Sequence, residues 1–256
     1  MKTLLPKTLL PPAPSSQSWE ERERGGVSEG LSLPPPILLP GLGGGKSEAK
    51  GGGKSEAKGG GESEAKGGGY LCGIDEAGRG ALAGPVVAAA VILPEGFDTT
   101  GIGDSKKLTA KQREKAYERI VREALCYGIG QCEAGEIDTI NILRATHEAM
   151  RRALAALSIS PDEVRVDGLP VPNLHPNCKN LIGGDGRDVA IGAASILAKV
   201  TRDRLMIAYD VQWPEYGFAG HKGYGAATHL AALDQHGPCP IHRRTFGPVA
   251  QLAMPF

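Results

Sequence analysis

Asp75 and Glu76 stand side by side at the end of the apolar run "YLCGID", three residues before Arg79, which lies between Gly78 and Gly80. Asp167 in "VRVDG" and Asp185 in "IGGDG" recur in the same setting, where a strand-like run meets glycine. A single Asp-Gly pair is ordinarily a solvated turn. Four carboxylates at strand ends, however, can converge on one edge of a sheet. Consecutive strand residues point to opposite faces, so Asp75 and Glu76 serve one site only if the strand stops there; Ala77-Gly78 is expected to supply the turn. Like charges a few ångströms apart raise one another's pKa and oppose folding. Hard divalent cations remove that cost, and oxygen-only ligands favour Mg2+ or Mn2+. Two such ions about 3.5–4 Å apart can activate water and stabilise a leaving oxygen, so the acids point to two-metal phosphodiester hydrolysis.

Gly78, Gly80 and Gly84 also form a G-x-G-x-x-x-G pattern after a strand. A dinucleotide loop must open a helix whose N-terminus holds a pyrophosphate. Here Pro85 and a β-branched run follow Gly84, and two acids that would repel phosphate precede the loop, so this reading is set aside.

The elements that must position the acids are legible from pattern. Tyr70–Asp75 and Gly84–Leu93 read as neighbouring buried strands, and Tyr127–Ala134 as a third. Thr109 and Gln112 form a capping box that opens a helix reaching about Ala124. From Asp138, residues Ile140, Leu143, His147, Met150, Leu154 and Leu157 recur at the spacing of one helix, on which His147 reads as a packed or edge residue. "EVRVDG" and "KNLIGGDG" read as two further strand ends. The chain then reads as helix from Asp188 through Tyr209, and again from about Ala226 to His236. Strands alternating with helices imply an α/β layer fold: a mixed five-stranded sheet flanked by helices.

The chain has 256 residues. Residues 1–69 combine a Pro/Leu/Ser-rich stretch with repeats of "GGGKSEAK", whose glycine and polar content cannot offset the entropy of ordering, so a flexible low-complexity tail is expected. "MKTLLPKTLLPP" is interrupted by proline and lysine before an apolar run long enough for a signal peptide, and no run approaches a membrane span. Residues 70–256 read as a single domain. They hold 20 Lys/Arg against 21 Asp/Glu, so any nucleic-acid contact must come from a local patch rather than a global field. Five cysteines without a C-x-x-C pair argue against disulfides and zinc and for a reducing cytoplasm.

"GIDEAGRGALAGPVVAAAV", "DSKKL", "VDG", "GGD", "AASILAKVTRDR", "YGFAGHKGYG" and "HRRTFGPV" occur in the order and spacing of bacterial ribonuclease HII, and this resemblance spans nearly all of 70–256. It implies a ribonuclease H-like fold with a C-terminal helical extension. The implied activity is a divalent-metal endonuclease that cuts on the 5′ side of a ribonucleotide in an RNA–DNA hybrid or within duplex DNA. Asp75, Glu76, Asp167 and Asp185 occupy the family's four acid positions. Gly78-Arg79-Gly80 matches its ribose- and phosphate-contacting segment, and Tyr224 its tyrosine beside the ribose at the RNA-to-DNA junction. The family usually continues "GYPT", whereas Gly225 and Ala226 stand here.

Lys107, and Lys199 with Arg202 one helical turn further on, are candidate phosphate contacts; Lys106 neighbours the first of them. Asp203, between Arg202 and Arg204, reads as a local ion-pair partner. His221, His242 and Arg243-Arg244 belong to the carboxyl-terminal motifs, where packing explains them as readily as substrate contact. The terminal "QLAMPF" resembles peptides that dock on the bacterial sliding clamp, with Gln251, Leu252, Met254 and Phe256 as contacts. The expected protein is a cytoplasmic monomer. The competing reading is a nucleic-acid-binding or replication-adaptor protein on the same scaffold without turnover.

Overall fold

The computed structural model describes residues 69–102 and 108–252. Residues 1–68 of the tail, Lys106, Lys107, Met254 and Phe256 lie outside the described residues.

A five-stranded mixed sheet forms the centre, in the order β3-β2-β1-β4-β5. Its strands are β1 (Leu71–Ala77), β2 (Val86–Ile92), β3 (Cys126–Cys132), β4 (Glu163–Asp167) and β5 (Cys178–Leu181). β1 with β2 and β2 with β3 pair antiparallel, while β1 with β4 and β4 with β5 pair parallel. The helices are α1 (Ala110–Glu123), α2 (Ala134–Ile140), α3 (Ile142–Ala155), α4 (Val189–Gln212), α5 (Phe218–His221), α6 (Ala227–His236) and α7 (Gly247–Leu252).

Strand alternation divides the core into two layers. Cys72, Ile74, Ala88, Ala90, Val164 and Val166 face α3 and its Ala145, Ala149 and Met150. Ala89, Val91 and Tyr127 face the other way, toward α1 and α4. Small residues let the helices approach closely: a Cβ on Gly130 would collide with the α3 backbone at Ala149, and one on Gly73 with the α4 backbone at Ala190. A third cluster, including Phe218, Leu233 and Ile241, joins the C-terminal helices to Leu82 and Met206.

The capping box at Thr109 and Gln112 is formed as expected. The single helix expected from Asp138 is instead two, because Asn141 adopts φ 68 and its side chain caps α3 through the amides of Leu143 and Arg144. The second helix buries Ala145, Ala149, Met150 and Ala153, whereas Leu143 of the expected stripe is exposed. β1 also does not stop at Asp75. It continues to Ala77, held by antiparallel pairing of Ala77 with Val87, and the turn comes at Gly78 with φ 95.

Candidate active site

β1 and β4 pair in parallel up to Ile74 opposite Val166. Asp75 and Asp167 are the next residue on each strand. Since Ile74 and Val166 both enter the α3-side core, both aspartates lie on the α4 side of the sheet, at adjacent strand positions. Glu76 follows on the opposite side, but at the rim it lines the same cleft. That cleft, of about 370 Å³, is walled by Asp75, Glu76, Asp167, Gly78, Arg113, Ser195, Lys199 and Tyr224.

Asp185 arrives differently from the expected strand end. β5 finishes at Leu181, Gly183 takes a left-handed conformation, and Gly184–Gly186 form a 3-10 turn that carries a buried Asp185. The Gly184 amide donates to Oδ1 of Asp167 at 2.8 Å, tying that turn to the end of β4. Glycine ended the strand earlier than the apolar run suggested.

The electrostatics follow from this crowding. Burial, then the Glu76 charge, push the Asp75 carboxyl up from 3.8 to about 8; hydrogen bonds from Ser195 and the Glu76 amide offset part of this, and Asp167 adds to it. Burial also raises Glu76, opposed by Arg79, whose guanidinium meets it at 3.2 Å. The Arg79 side chain is half-exposed, so it pairs with the cluster while still facing outward. Among the described residues no group of three or more His, Cys, Asp or Glu is drawn into a ready metal cage. In donor chemistry the set suits a hard cation: carboxylate oxygens only, the most buried of them pushed toward protonation by burial and then by the Glu76 charge.

The stripe Ser195, Lys199, Arg202 and Met206 runs along one side of α4. Ser195 and Lys199 reach the cleft, where Lys199 pairs with Asp203 at 2.7 Å; the expected ion pair of Asp203 thus has Lys199 as its partner. Arg202 departs from its expected role. It is fully buried and donates to the carbonyls of Pro85, Lys222 and Ala83 at 2.9, 2.9 and 3.0 Å, so its donors serve the scaffold rather than a phosphate in the cleft. Both cations support Tyr224, with Arg202 Cζ 5.3 Å and Lys199 Nζ 5.9 Å from its ring centroid.

Sequence reasoning missed Arg113 and Ser195. The signal for Ser195 was present: one hydroxyl inside the apolar run "AASILA" must find a partner when buried. Arg113 carried none, being one of several cations on a charged helix, and only the packing of α1 brings it to the cleft.

The carboxyl-terminal histidines are packed. His229 and His242 are buried and meet through their Nε2 atoms at 3.0 Å. The Cys239 amide donates to His242 Nδ1 at 2.9 Å, and His229 Nδ1 lies 2.9 Å from the Tyr224 carbonyl. That carbonyl only accepts, so His229 donates from Nδ1 and its bare Nε2 accepts from His242. Both rings are neutral in this arrangement, and burial pushes His242 down to about 4. At the C-terminus, Gln251 and Leu252 close the short helix α7 rather than extending as a peptide, and both are exposed.

The family model for ribonuclease HII matches residues 72–249. The chain belongs to the ribonuclease HII family. The "Ribonuclease HII" of Syntrophotalea carbinolica is 60% identical over 177 residues, which is 69% of this chain and 84% of that protein. Among solved structures, ribonuclease H2 from Pyrococcus horikoshii superposes with a TM-score of 0.61 at 28% identity, covering 72% of this chain and 96% of that one. A ribonuclease HII from Archaeoglobus fulgidus, solved in complex with PCNA, shares the fold at 23% identity and a TM-score of 0.59, over 70% of this chain and 95% of that one. As a ribonuclease HII the protein is an enzyme, a hydrolase acting on RNA in RNA–DNA hybrids, and its mixed sheet with flanking helices is the ribonuclease H-like fold. No helix among the described residues is long and apolar enough to cross a membrane.

Proposed function

We propose that the enzyme cuts on the 5′ side of ribonucleotides, both in RNA–DNA hybrids and in duplex DNA with embedded ribonucleotides, by a two-metal-ion reaction carried by Asp75, Glu76, Asp167 and Asp185. The observation that carries this reading is the placement of Asp75 and Asp167 at adjacent positions on parallel strands, with Glu76 lining the same cleft. Bound Mg2+ or Mn2+ would supply Lewis-acid charge for water activation and for the leaving oxygen. Asp75, central and most crowded, would be the principal ligand, and Asp185 would help to place the attacking water. That water's oxygen bonds to phosphorus as the bond to the 3′ oxygen breaks, leaving a 3′-hydroxyl and a 5′-phosphate.

Gly78-Arg79-Gly80 contacts the ribose and its phosphates, because glycines let the backbone come close enough to hydrogen-bond a single 2′-hydroxyl. Tyr224 offers an aromatic face at the cleft without base preference. Lys199, in the cleft wall, contacts a phosphate. The catalytic unit is 70–256, with 1–69 as a tail outside it, and the enzyme works as a cytoplasmic monomer; five free cysteines fit a reducing compartment.

The terminal segment from Gln251 to Phe256 docks on a sliding clamp. Leu252 is exposed at the end of a six-residue helix, and the Archaeoglobus fulgidus relative was solved with PCNA. Deleting Gln251–Phe256 without loss of measured clamp affinity would remove this assignment.

Incubation with a duplex carrying one ribonucleotide tests the main reading. The expected product is a nick on the 5′ side of that ribonucleotide, dependent on Mg2+ or Mn2+. Tight binding of that duplex with no nick under either cation, while an RNA–DNA hybrid is still cut, would instead confine the activity to hybrids; binding of both without any cleavage would favour an adaptor without turnover.

A further inference from the structure

Arg243 and Arg202 are both fully buried, and each is solvated by backbone carbonyls rather than by a carboxylate. Arg243 donates to the carbonyl of Gly78 at 2.7 Å, of Arg79 at 2.8 Å, and of Gly84 at 2.9 Å from Nη2 and 3.0 Å from Nε. Its own amide donates to Leu82 at 2.8 Å. Arg202 holds Ala83 and Pro85 from the other side. The carbonyls of Gly78, Arg79, Ala83, Gly84 and Pro85 are thereby turned inward onto two cations.

Turning a carbonyl fixes the next amide. A trans peptide is planar, with its C=O and N–H antiparallel, so inward carbonyls on Gly78 and Arg79 point the N–H groups of Arg79 and Gly80 outward. Both residues are exposed, and neither amide donates to another described residue's backbone. Leu82, Ala83 and Gly84, by contrast, spend their amides on Gly223 and Ile241. The loop thus presents two successive outward donors beside the acids.

Stability alone does not account for the pair. Burial lowers both guanidiniums, and the nearby Arg202 charge lowers Arg243 further, to about 9. Two adjacent buried cations without a carboxylate partner are more costly than apolar side chains of similar volume. A flat fork is, however, the one side chain able to reach three separate carbonyls at fixed angles.

We infer that Arg243, with Arg202 behind it, is a positioning residue for ribose recognition, setting the outward amides of Arg79 and Gly80 through the carbonyls of Gly78 and Arg79. This rests on the assignment of Gly78-Arg79-Gly80 to the ribonucleotide.

Equilibrium binding to two duplexes, identical except for one ribonucleotide, tests it, with Ca2+ replacing the catalytic cation. The wild-type enzyme is expected to prefer the ribonucleotide duplex. Arg243→Lys retains the charge but loses the fork, so the preference should fall about tenfold while affinity for the all-DNA duplex holds. A folded Arg243→Lys protein, checked by circular dichroism and thermal unfolding, that keeps the full preference overturns the inference. A wild-type enzyme with no preference overturns the ribose assignment itself. Should the variant fail to fold, amide NMR of the wild-type enzyme decides: Arg79 and Gly80 are expected to shift further with the ribonucleotide duplex than with the all-DNA duplex, and equal shifts with both overturn the ribose assignment and, with it, the inference.

Discussion

Gly78 and Arg202 pack so closely that a Cβ on the glycine would collide with the guanidinium Nε. Gly78 also sits at φ 95, where an L side chain is strained. Gly80, two residues on, has nothing within 4 Å of the same added carbon. Gly78→Ala should therefore destabilise the free enzyme, by about 2 kcal/mol or more, and Gly80→Ala should change it by no more than about 0.5 kcal/mol. If Gly80 approaches the ribose, Gly80→Ala nonetheless cuts a single-ribonucleotide duplex poorly. Unfolding curves and cleavage rates of the two variants separate scaffold from recognition; undiminished cutting by Gly80→Ala would exclude close approach there.

Asp75→Asn is expected to abolish cleavage and to stabilise the metal-free protein. The folded state raises this carboxyl from 3.8 to about 8, so it binds the proton more tightly than the unfolded chain. Its contribution is present at acid pH and is lost as pH rises through about 8. Asparagine carries no such loss, and with each pKa unit worth about 1.4 kcal/mol the thermal midpoint near neutrality should rise by several degrees. A lower midpoint for the variant in chelator would contradict this crowding of buried carboxylates.

Ala226→Thr should stabilise the protein by about 1 kcal/mol. Ala226 occupies the N-cap of α6 with extended backbone, φ −70 and ψ 155, but has no side-chain oxygen to accept from the first-turn amides. Threonine supplies one where the family usually has it. Chemical unfolding of the variant measures the gain, and no gain would mean the cap geometry is not held in solution.

Acid should weaken the C-terminal cluster through His242. Its folded pKa of about 4 lies below the ordinary 6.5, so the unfolded chain protonates first. The stability is complete above about 6.5 and declines as pH falls toward about 4, by on the order of 3 kcal/mol at most. His242→Asn keeps an acceptor for the Cys239 amide but does not titrate. Its unfolding free energy should fall less on acidification than that of the wild type; equal falls would place the sensitivity elsewhere.

Much of this protein was legible before folding was considered. The mixed five-stranded sheet and the capping box at Thr109 followed from alternation and local hydrogen-bonding chemistry, and glycine placement singled out Asp75, Glu76 and Asp167, which line one cleft; all are properties of neighbouring residues. Errors came where one local signal overrode another: Asn141 divided a continuous apolar stripe into two helices, and Gly183 placed Asp185 in a turn rather than on β5.

Arg202 and Arg243 are the opposite case. In sequence they are cations among cations, and Arg202 reads as a phosphate contact. Their surroundings come from segments more than a hundred residues distant, since both donate to the loop from Gly78 to Pro85. Residue type states that a guanidinium needs several acceptors. Whether those are substrate phosphates or the protein's own carbonyls depends on which chain segments pack around it, and that is set only when α4 and the C-terminal extension close over the loop.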